Sequence, residues 1–323
     1  MNNLKKIGLS ALAGSLATVA AHAAEMSVSG SASITMDRPW QNGGATGNDF
    51  SMGDSLNFSA SGETDGGLAV TLKYEIDGGA LDDYSMSLAG DFGTLVFDGH
   101  GASSAFGAVD DVMPNAYEES WDILDTDGTN TTGSPLTIGG GGGTNMFIYT
   151  SPSVAGATLT MAYQNDGGAA AVADSYTDFA IAYSPEMVEG LTVGYARADQ
   201  NAGVSIDVDK STMYAKYAVG GFTVGYQVSE ADHDTKSSSA DVVAYGVTYA
   251  VNDDFSIGYH NHTYEPDSAA SGSASNDQES EGISASYTMG GMTLAGAMNE
   301  TDNSRGIASN DFESYEFNLS FAF

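Results

Sequence analysis

Apolar and polar residues alternate with a period of two over most of the chain, and this pattern constrains the fold more than any other feature. In 26–36, apolar or small residues alternate with serine and threonine, and in 68–76 leucine, valine, tyrosine and isoleucine alternate with alanine, threonine, lysine and glutamate. Successive side chains of a strand point to opposite faces, so each such segment has one apolar and one polar face. The pattern therefore predicts an all-β protein built from amphipathic strands.

Short turns and long polar loops alternate as the connections between these segments. A six-residue motif also recurs, as LTVGYA at 191, FTVGYQ at 222, FSIGYH at 255 and MTLAGA at 292. This arrangement is typical of a transmembrane antiparallel β-barrel, whose strand number is even. If the first strand runs outward, every long loop follows an odd strand and both termini lie on the periplasmic side. We predict sixteen strands: 26–36, 50–62, 67–77, 83–90, 93–98, 145–151, 157–165, 176–184, 191–198, 210–219, 222–229, 241–250, 255–263, 282–289, 292–299 and 312–323.

The last predicted strand indicates how the sheet ends. One of its faces is almost wholly aromatic or aliphatic and carries Tyr315, Phe317, Leu319, Phe321 and Phe323. As a free edge in water this strand would be an aggregation hazard. In lipid every backbone polar group must be satisfied internally, so a sheet must close on itself. We therefore expect the last strand to pair with 26–36 and seal the barrel.

The first residues form a targeting signal. Lys5 and Lys6 precede an uncharged, mostly apolar run at 7–21, and Ala21-His22-Ala23 is a cleavage signature. The apolar run is too short to span a bilayer. We predict a signal peptide at 1–23, cleaved near Ala23, and a barrel domain at 24–323 located in the outer membrane.

Charge and composition exclude several classes of protein. The chain has 43 acidic and 9 basic residues, for a formal net charge of −34, and has no cysteine. Such an acidic chain repels nucleic acid, so a DNA or RNA partner is not expected. Without cysteine, neither a disulfide framework nor a thiolate metal site is possible.

The longest stretch between predicted strands is 99–144. Compact domains seldom contain a loop of this length unless it has a function or is disordered. A loop that is only solvated would not need apolar anchors, and this one has Phe106, Val109, Val112, Met113, Tyr117, Trp121, Ile123 and Leu124. We interpret it as a loop folded into the lumen that narrows the channel, against the alternative of a solvated surface loop. Its acidic residues are the predicted constriction carboxylates: Asp110, Asp111, Glu118, Glu119, Asp122, Asp125 and Asp127.

The chain resembles the Gram-negative outer-membrane general diffusion porin family, in particular the alphaproteobacterial type. The resemblance rests on the signal peptide, the sixteen alternating strands, the aromatic carboxyl end and the segment DDVMPNAYEE at 110–119. It implies a homotrimer of water-filled channels in the lipid bilayer of the outer membrane, each constricted by its third loop.

Members of that family usually place basic groups on the wall opposite the acidic loop, and here the sequence departs from them. After the signal peptide the chain has seven basic residues: Arg38, Lys73, Arg197, Lys210, Lys216, Lys236 and Arg305. Because successive side chains of a strand alternate between its two faces, Lys73, Lys210 and Lys216 are predicted to face inward. Lys73, on an early strand, and Arg38, at the top of the first strand, are the predicted basic side of the constriction. Because so few cations face the carboxylates, we expect an acidic constriction that favours cations.

The sequence also contains two weak candidates for a metal site. Asp125 and Asp127 lie in a segment that hints at a calcium turn, but the segment fails the EF-hand template, so a hydrophilic turn is favoured and no cofactor is expected. His260 and His262 share the inward face of one strand and could ligate a metal. Because no third ligand is evident nearby, we interpret them as wetted lumen residues.

These features predict a channel for passive diffusion of small hydrophilic solutes and cations. Catalysis is not expected, because His100, His233, His260 and His262 have no recognisable Ser/His/Asp setting. The nearest alternative is a substrate-specific porin. A barrel enzyme or adhesin and a soluble secreted β-sandwich binding module are further alternatives, and the terminal phenylalanine and the asymmetry of turns and loops argue against the sandwich.

Overall fold

The computed structural model describes residues 25–41, 44–45, 48–122, 136–142, 144–165, 174–202, 207–234, 239–267 and 276–323. The predicted signal peptide, 1–23, lies outside the described residues. No helix in the described part of the chain is long and apolar enough to cross a membrane.

In the described part of the chain, sixteen strands of five or more residues make up the fold, which confirms the predicted number and order. A two-residue segment, Gly44–Ala45, also pairs with the end of the first strand. The strands are β1 (Glu25–Gln41), β2 (Asp49–Glu63), β3 (Ala69–Asp77), β4 (Ala80–Gly90), β5 (Gly93–His100), β6 (Met146–Thr150), β7 (Ala157–Gln164), β8 (Asp174–Tyr183), β9 (Leu191–Ala202), β10 (Asp207–Val219), β11 (Phe222–His233), β12 (Ala240–Ala250), β13 (Phe255–Pro266), β14 (Gln278–Met289), β15 (Met292–Asp302) and β16 (Phe312–Ala322).

Each strand pairs with its neighbour in the chain, and β16 pairs antiparallel with β1, so the barrel is closed. The backbones of Gly30 and Phe323 exchange two hydrogen bonds of 2.7 and 2.9 Å at the seam. The predicted closure is confirmed, although β16 pairs with 31–41 rather than 26–36. On its other side β1 pairs with β2 through 25–37, and this stagger is what tilted strands need in order to close into a barrel.

The apolar face of each strand points away from the barrel. Phe50, Met52 and Phe317 are each more than half exposed, although they are large apolar side chains. Most of the tyrosines of the second half share this outward face and are exposed, including Tyr163, Tyr183, Tyr195, Tyr217, Tyr226, Tyr245 and Tyr287. An outward apolar surface with aromatic residues is what a barrel embedded in lipid requires.

The interior is packed on one side only. The inward faces of β8–β16 contain most of the buried residues, among them Tyr176, Ala196, Gln227, His260 and Thr301. By contrast, the inward-facing residues Ser27, Ser29 and Ser31 of β1 and Asn57 of β2 are exposed. The described residues between β5 and β6 cover the packed side and leave the opposite side open to water.

Candidate functional site

The segment 101–142 is here called the inner loop, and its described parts, 101–122 and 136–142, lie inside the barrel against β8–β16. At its root, Asp178 on β8 accepts hydrogen bonds from the backbone N–H groups of Ala105, at 3.2 Å, and Phe106, at 2.7 Å. The Phe106 side chain is completely buried in a cluster with Ile138, Met146 and wall alanines. The carboxylate and the apolar cluster together fix the direction in which the loop enters the lumen.

Gln227 on β11 clamps the middle of the inner loop. Its Oε1 accepts a hydrogen bond of 3.1 Å from the N–H of Val112, and its Nε2 donates to the carbonyls of Val109, at 2.8 Å, and Asp110, at 2.9 Å. The same Nε2 lies 2.8 Å from Thr212 Oγ1 on β10. One buried amide thus satisfies three backbone groups of a loop that would otherwise lose its hydrogen bonds to water.

Small residues on the wall make room for the loop. A Cβ added at Gly225 on β11 would lie 2.6 Å from Pro114 Cδ, one at Gly246 on β12 would lie 2.4 Å from the Pro114 carbonyl oxygen, and one at Gly258 on β13 would lie 2.8 Å from the Ala116 nitrogen. These glycines let the loop backbone approach the sheet closely. Gly225 and Gly258 occupy the same position in the recurring six-residue motif, so inward parity applied to that motif could have found this surface.

The far part of the loop is held by β14, β15 and β16. Ser284 Oγ accepts a hydrogen bond of 3.0 Å from the Ala116 N–H, and Asn299 Nδ2 donates to the Glu119 carbonyl at 3.1 Å. The Tyr117 hydroxyl donates to Glu316 Oε1. Gln278 binds both backbone groups of Leu136, at 2.8 and 2.9 Å.

His260 and His262 lie beneath the inner loop, so the interpretation of them as wetted lumen residues is wrong. They are only 2% and 1% exposed. The Trp121 ring packs against both imidazoles, with centroid distances of 5.0 and 4.4 Å. Ser120 Oγ lies 2.8 Å from His260 Nδ1. The two histidines therefore serve as part of the surface on which the loop rests.

Burial of the loop brings carboxyl groups into like-charged pairs. Burial, reinforced by the neighbouring charge of Glu119, raises the pKa of Asp111 to about 8. Burial and the charge of Glu316 on β16 likewise raise the pKa of Glu118 to about 8. Burial also raises the pKa values of Asp110 and Asp122. The Asp110 carboxylate accepts a 2.8 Å hydrogen bond from the Gly140 N–H, which ties the outgoing and returning parts of the loop together.

Of the two residues predicted to form the basic side of the constriction, Lys73 faces the lumen and Arg38 faces outward. Lys73 on β3 is exposed and faces the lumen with its neighbour Ser59 of β2. Arg38 does not face the lumen, and its assignment to the constriction is wrong. In β1 it is two residues from outward-facing Met36, and it pairs with outward-facing Tyr315. The period of two therefore sets it on the outer face.

Two other predicted lumen lysines and the distal acidic residues complete the site. Lys210 is inward but covered by the loop, and its Nζ donates to the Gly139 carbonyl at 2.7 Å. Lys216 lies lower on β10, paired with Thr192 and Gly225. Asp125 and Asp127, with Ile123 and Leu124, lie outside the described residues.

A closed sixteen-stranded barrel, with an apolar outer face and the described parts of the inner loop inside the lumen, defines a channel-forming protein of the outer-membrane type. A sequence profile of the Gram-negative porin family matches residues 8–306. The chain therefore belongs to the Gram-negative porin family. A search among curated protein sequences gave no significant match.

Solved structures show the same fold. An anion-selective porin from Comamonas acidovorans is similar with a TM-score of 0.68 and 15% identity over 93% of this chain and 100% of that one. OmpT, an outer membrane protein of Vibrio cholerae, has a TM-score of 0.66 and 13% identity over 93% and 98%. A mutant of Rh. blastica porin has a TM-score of 0.61 and 16% identity over 93% and 100%. At these identities the similarity concerns the fold alone.

Proposed function

We propose that this porin is a water-filled channel, rather than an enzyme, through which small hydrophilic solutes diffuse passively and cations pass in preference to anions. The observation that carries this proposal is the imbalance of charge around the lumen. The described inner loop bears five carboxyl groups, Asp110, Asp111, Glu118, Glu119 and Asp122, and Glu316 adds one from the wall. Two of them, Asp111 and Glu118, become charged mainly above neutral pH, because their pKa values are about 8. Carboxylates at a pore constriction attract cations, and low-dielectric walls focus their potential.

The wall opposite the loop supports the same proposal. The inward face of β1 is lined by hydroxyl groups rather than by basic ones, from Ser27, Ser29, Ser31, Ser33 and Thr35. Lys73 on β3 supplies one positive charge there, but Glu75 lies on the same face two residues away. A transverse field with a strong basic side is therefore not expected, and neutral polar solutes would meet a hydroxylated wall.

The reversal potential of the channel in a planar bilayer under a potassium chloride gradient tests the ion preference. We expect potassium to be more permeant than chloride. Replacing Glu118, Glu119, Asp122 and Asp125 by the corresponding amides should reduce this preference and leave the barrel folded. A matched control neutralises four carboxylates on the outer face: Glu230, Asp241, Glu300 and Glu313. A preference for chloride in the unmodified channel would contradict the proposal. An equal loss of cation preference on substitution of the loop carboxylates and of the outer-face carboxylates would contradict it too.

We also infer that the channel assembles as a homotrimer through the outer face of β1–β4. At the extracellular ends of these strands most outward residues are apolar, namely Met36, Phe50, Ile76 and Leu81, although Arg38 lies among them and Asp54 lies below Phe50. The corresponding positions of β9–β16 carry carboxylates, among them Asp199, Asp209, Glu230, Asp241, Glu281 and Glu300. The acidic rim suits water and polar headgroups, whereas an apolar rim is better covered by another subunit. The resemblance to trimeric porins supports the number of subunits.

A further inference from the structure

Asp82, Asp83 and His100 come together at the extracellular ends of β4 and β5, on the side of the barrel that the inner loop leaves open. We propose that these three side chains bind one divalent transition-type cation, with Zn²⁺ as the representative ion. Neither the diffusion of solutes nor the charge of the inner loop requires this site.

The distances between the possible ligand atoms fit a single ion. His100 Nδ1 lies 3.2 Å from Asp83 Oδ1 and 3.7 Å from Asp82 Oδ1, and one ligand atom from each residue lies within 4.8 Å of the other two. Nitrogen and oxygen ligands about 2 Å from a tetrahedral Zn²⁺ are themselves roughly 3.3 Å apart. Small rotations of the side chains would therefore bring all three ligands onto one ion.

Irregular strand pairing brings these residues together. The register shifts between Tyr74 and Ile76 where β3 meets β4, and between Tyr84 and Ser85 where β4 meets β5. Such bulges insert an extra residue and change the direction of the side chains beside it. The second bulge falls at Gly99, directly before His100.

Glycine at two positions lets the chain lie close to the site. A Cβ added at Gly99 would lie 1.9 Å from the Tyr84 ring, and one at Gly101 would lie 1.9 Å from Asp83 Oδ1. Gly101 also has a φ of +95°, which other residues rarely adopt. The first residues of the inner loop therefore pack directly against the Asp83 carboxylate and hold it beside His100.

The types of ligand select the class of ion. Calcium and magnesium prefer sites made only of oxygen ligands, whereas imidazole with carboxylates suits zinc and other transition metals. Three protein ligands leave further positions for water or a solute group. The three side chains are 39–46% exposed, and Asp83 and His100 line a cavity of about 170 Å³ together with Asn57, Lys73 and Asp98. An ion can therefore reach the site from the lumen.

A bound ion would join β4 to the root of the inner loop. His100 is the last residue of β5, and Asp98, two residues earlier, accepts a 3.0 Å hydrogen bond from the Ala102 N–H at the start of the loop. The ion would also offset two carboxylate charges on the open side of the lumen. Binding should therefore change the channel current as well as the local structure.

Calorimetric titration of the detergent-folded barrel with Zn²⁺ tests the site, after chelator treatment and in excess Mg²⁺ to occupy diffuse carboxylate positions. We expect one Zn²⁺ per chain. His100→Gln and Asp83→Asn should each weaken binding by at least about tenfold, because even loss of a group that only supports a ligand has an effect of that size. The control, Asp253→Asn with Asp254→Asn, removes two adjacent aspartates from a turn without histidine and should leave binding unchanged.

Three results would overturn the proposal: no Zn²⁺ binding by the unmodified protein, unchanged affinity in His100→Gln, or displacement of Zn²⁺ by an equal concentration of Ca²⁺. Heat-modifiable migration on gels shows whether each variant is folded. A second readout is the single-channel current, which should respond to Zn²⁺ in the unmodified channel but not in His100→Gln.

Discussion

At the scale of single residues, the ionisation of the inner loop follows from its burial. Glu118 lies between Tyr117, Asp122 and Glu316, and burial and the charge of Glu316 raise its pKa to about 8. Asp111 lies beside Glu119 and Asp110, and its pKa is also raised to about 8. A carboxyl group with a raised pKa stays neutral below that pH and becomes charged above it. The negative charge at the constriction therefore increases as the pH rises through neutrality.

We predict that the cation preference of the channel increases between pH 7 and pH 9. Groups with a pKa of about 8 are roughly one tenth ionised at pH 7 and roughly nine tenths ionised at pH 9. Reversal potentials measured across this range check the prediction. The double variant Asp111→Asn with Glu118→Gln should lose most of the pH dependence, and an equally steep dependence in that variant would contradict the assignment to these two groups.

Gln227 gives a second prediction at this scale. Gln227→Ala removes hydrogen bonds to Val109, Asp110 and Val112, and should weaken the anchoring of the loop by roughly 1–3 kcal/mol because buried backbone groups lose their partners. We expect greater open-channel current noise and a lower thermal unfolding temperature. The control is Gln200→Ala on β9, which removes the same side chain at a position without a described contact to the loop. Equal noise in the two variants would show that Gln227 does not anchor the loop.

At the scale of elements, the sequence predicted that the loop enters the lumen but not where it rests. Its length, its position after the fifth strand and its apolar residues were visible, and Phe106 and Met113 are indeed buried. Its contacts with Asp178, Gln227 and Glu316 are separated in sequence by 72 or more residues, so they depend on the register of the strands between. The assignment of Arg38 to the constriction was wrong for a simpler reason. It rested on the position of Arg38 at a strand end and did not use the two-residue alternation, which places this side chain on the outer face.

The glycines of the wall give the prediction for this scale. In Gly246→Val the new Cβ would lie 2.4 Å from the Pro114 carbonyl oxygen, so the loop must move toward the open lumen. Overpacking of this kind destabilises a protein by about 1–3 kcal/mol. The clash is relieved more easily by movement of the loop than by distortion of the closed sheet. We expect a lower single-channel conductance with the barrel intact. In the control, Gly62→Val, an added Cβ meets nothing within 4 Å and conductance should not change. Unchanged conductance in Gly246→Val would mean that the loop does not border the conducting path.

At the scale of the whole molecule, alternation predicted the number of strands and their closure because a sheet in lipid has few other solutions. A strand that is apolar on one face and polar on the other must separate lipid from water, and a closed barrel does this for every backbone group. The stagger of β1 against β16 was not predicted, since alternation fixes which face a residue takes but not how far one strand slides along another. The asymmetry of the outer rim likewise becomes visible only when the outward residues of all hairpins are compared.

That asymmetry leads to the prediction for the assembled molecule. Leu81→Glu places a carboxylate at the apolar rim of β4, where the side chain is 59% exposed in the single chain. If β1–β4 form the subunit interface, a buried and repeated negative charge should shift the protein from trimer to monomer, because an unpaired charge is costly to bury. Val228→Glu is the control, since Val228 lies on the outer face of β11 two residues from Glu230, at a rim that is already acidic. Mass measurement in detergent and crosslinking in membranes should show trimers for the unmodified protein and for Val228→Glu, but monomers that still form closed barrels for Leu81→Glu. Trimers of unchanged stability in Leu81→Glu would place the interface on another part of the outer face.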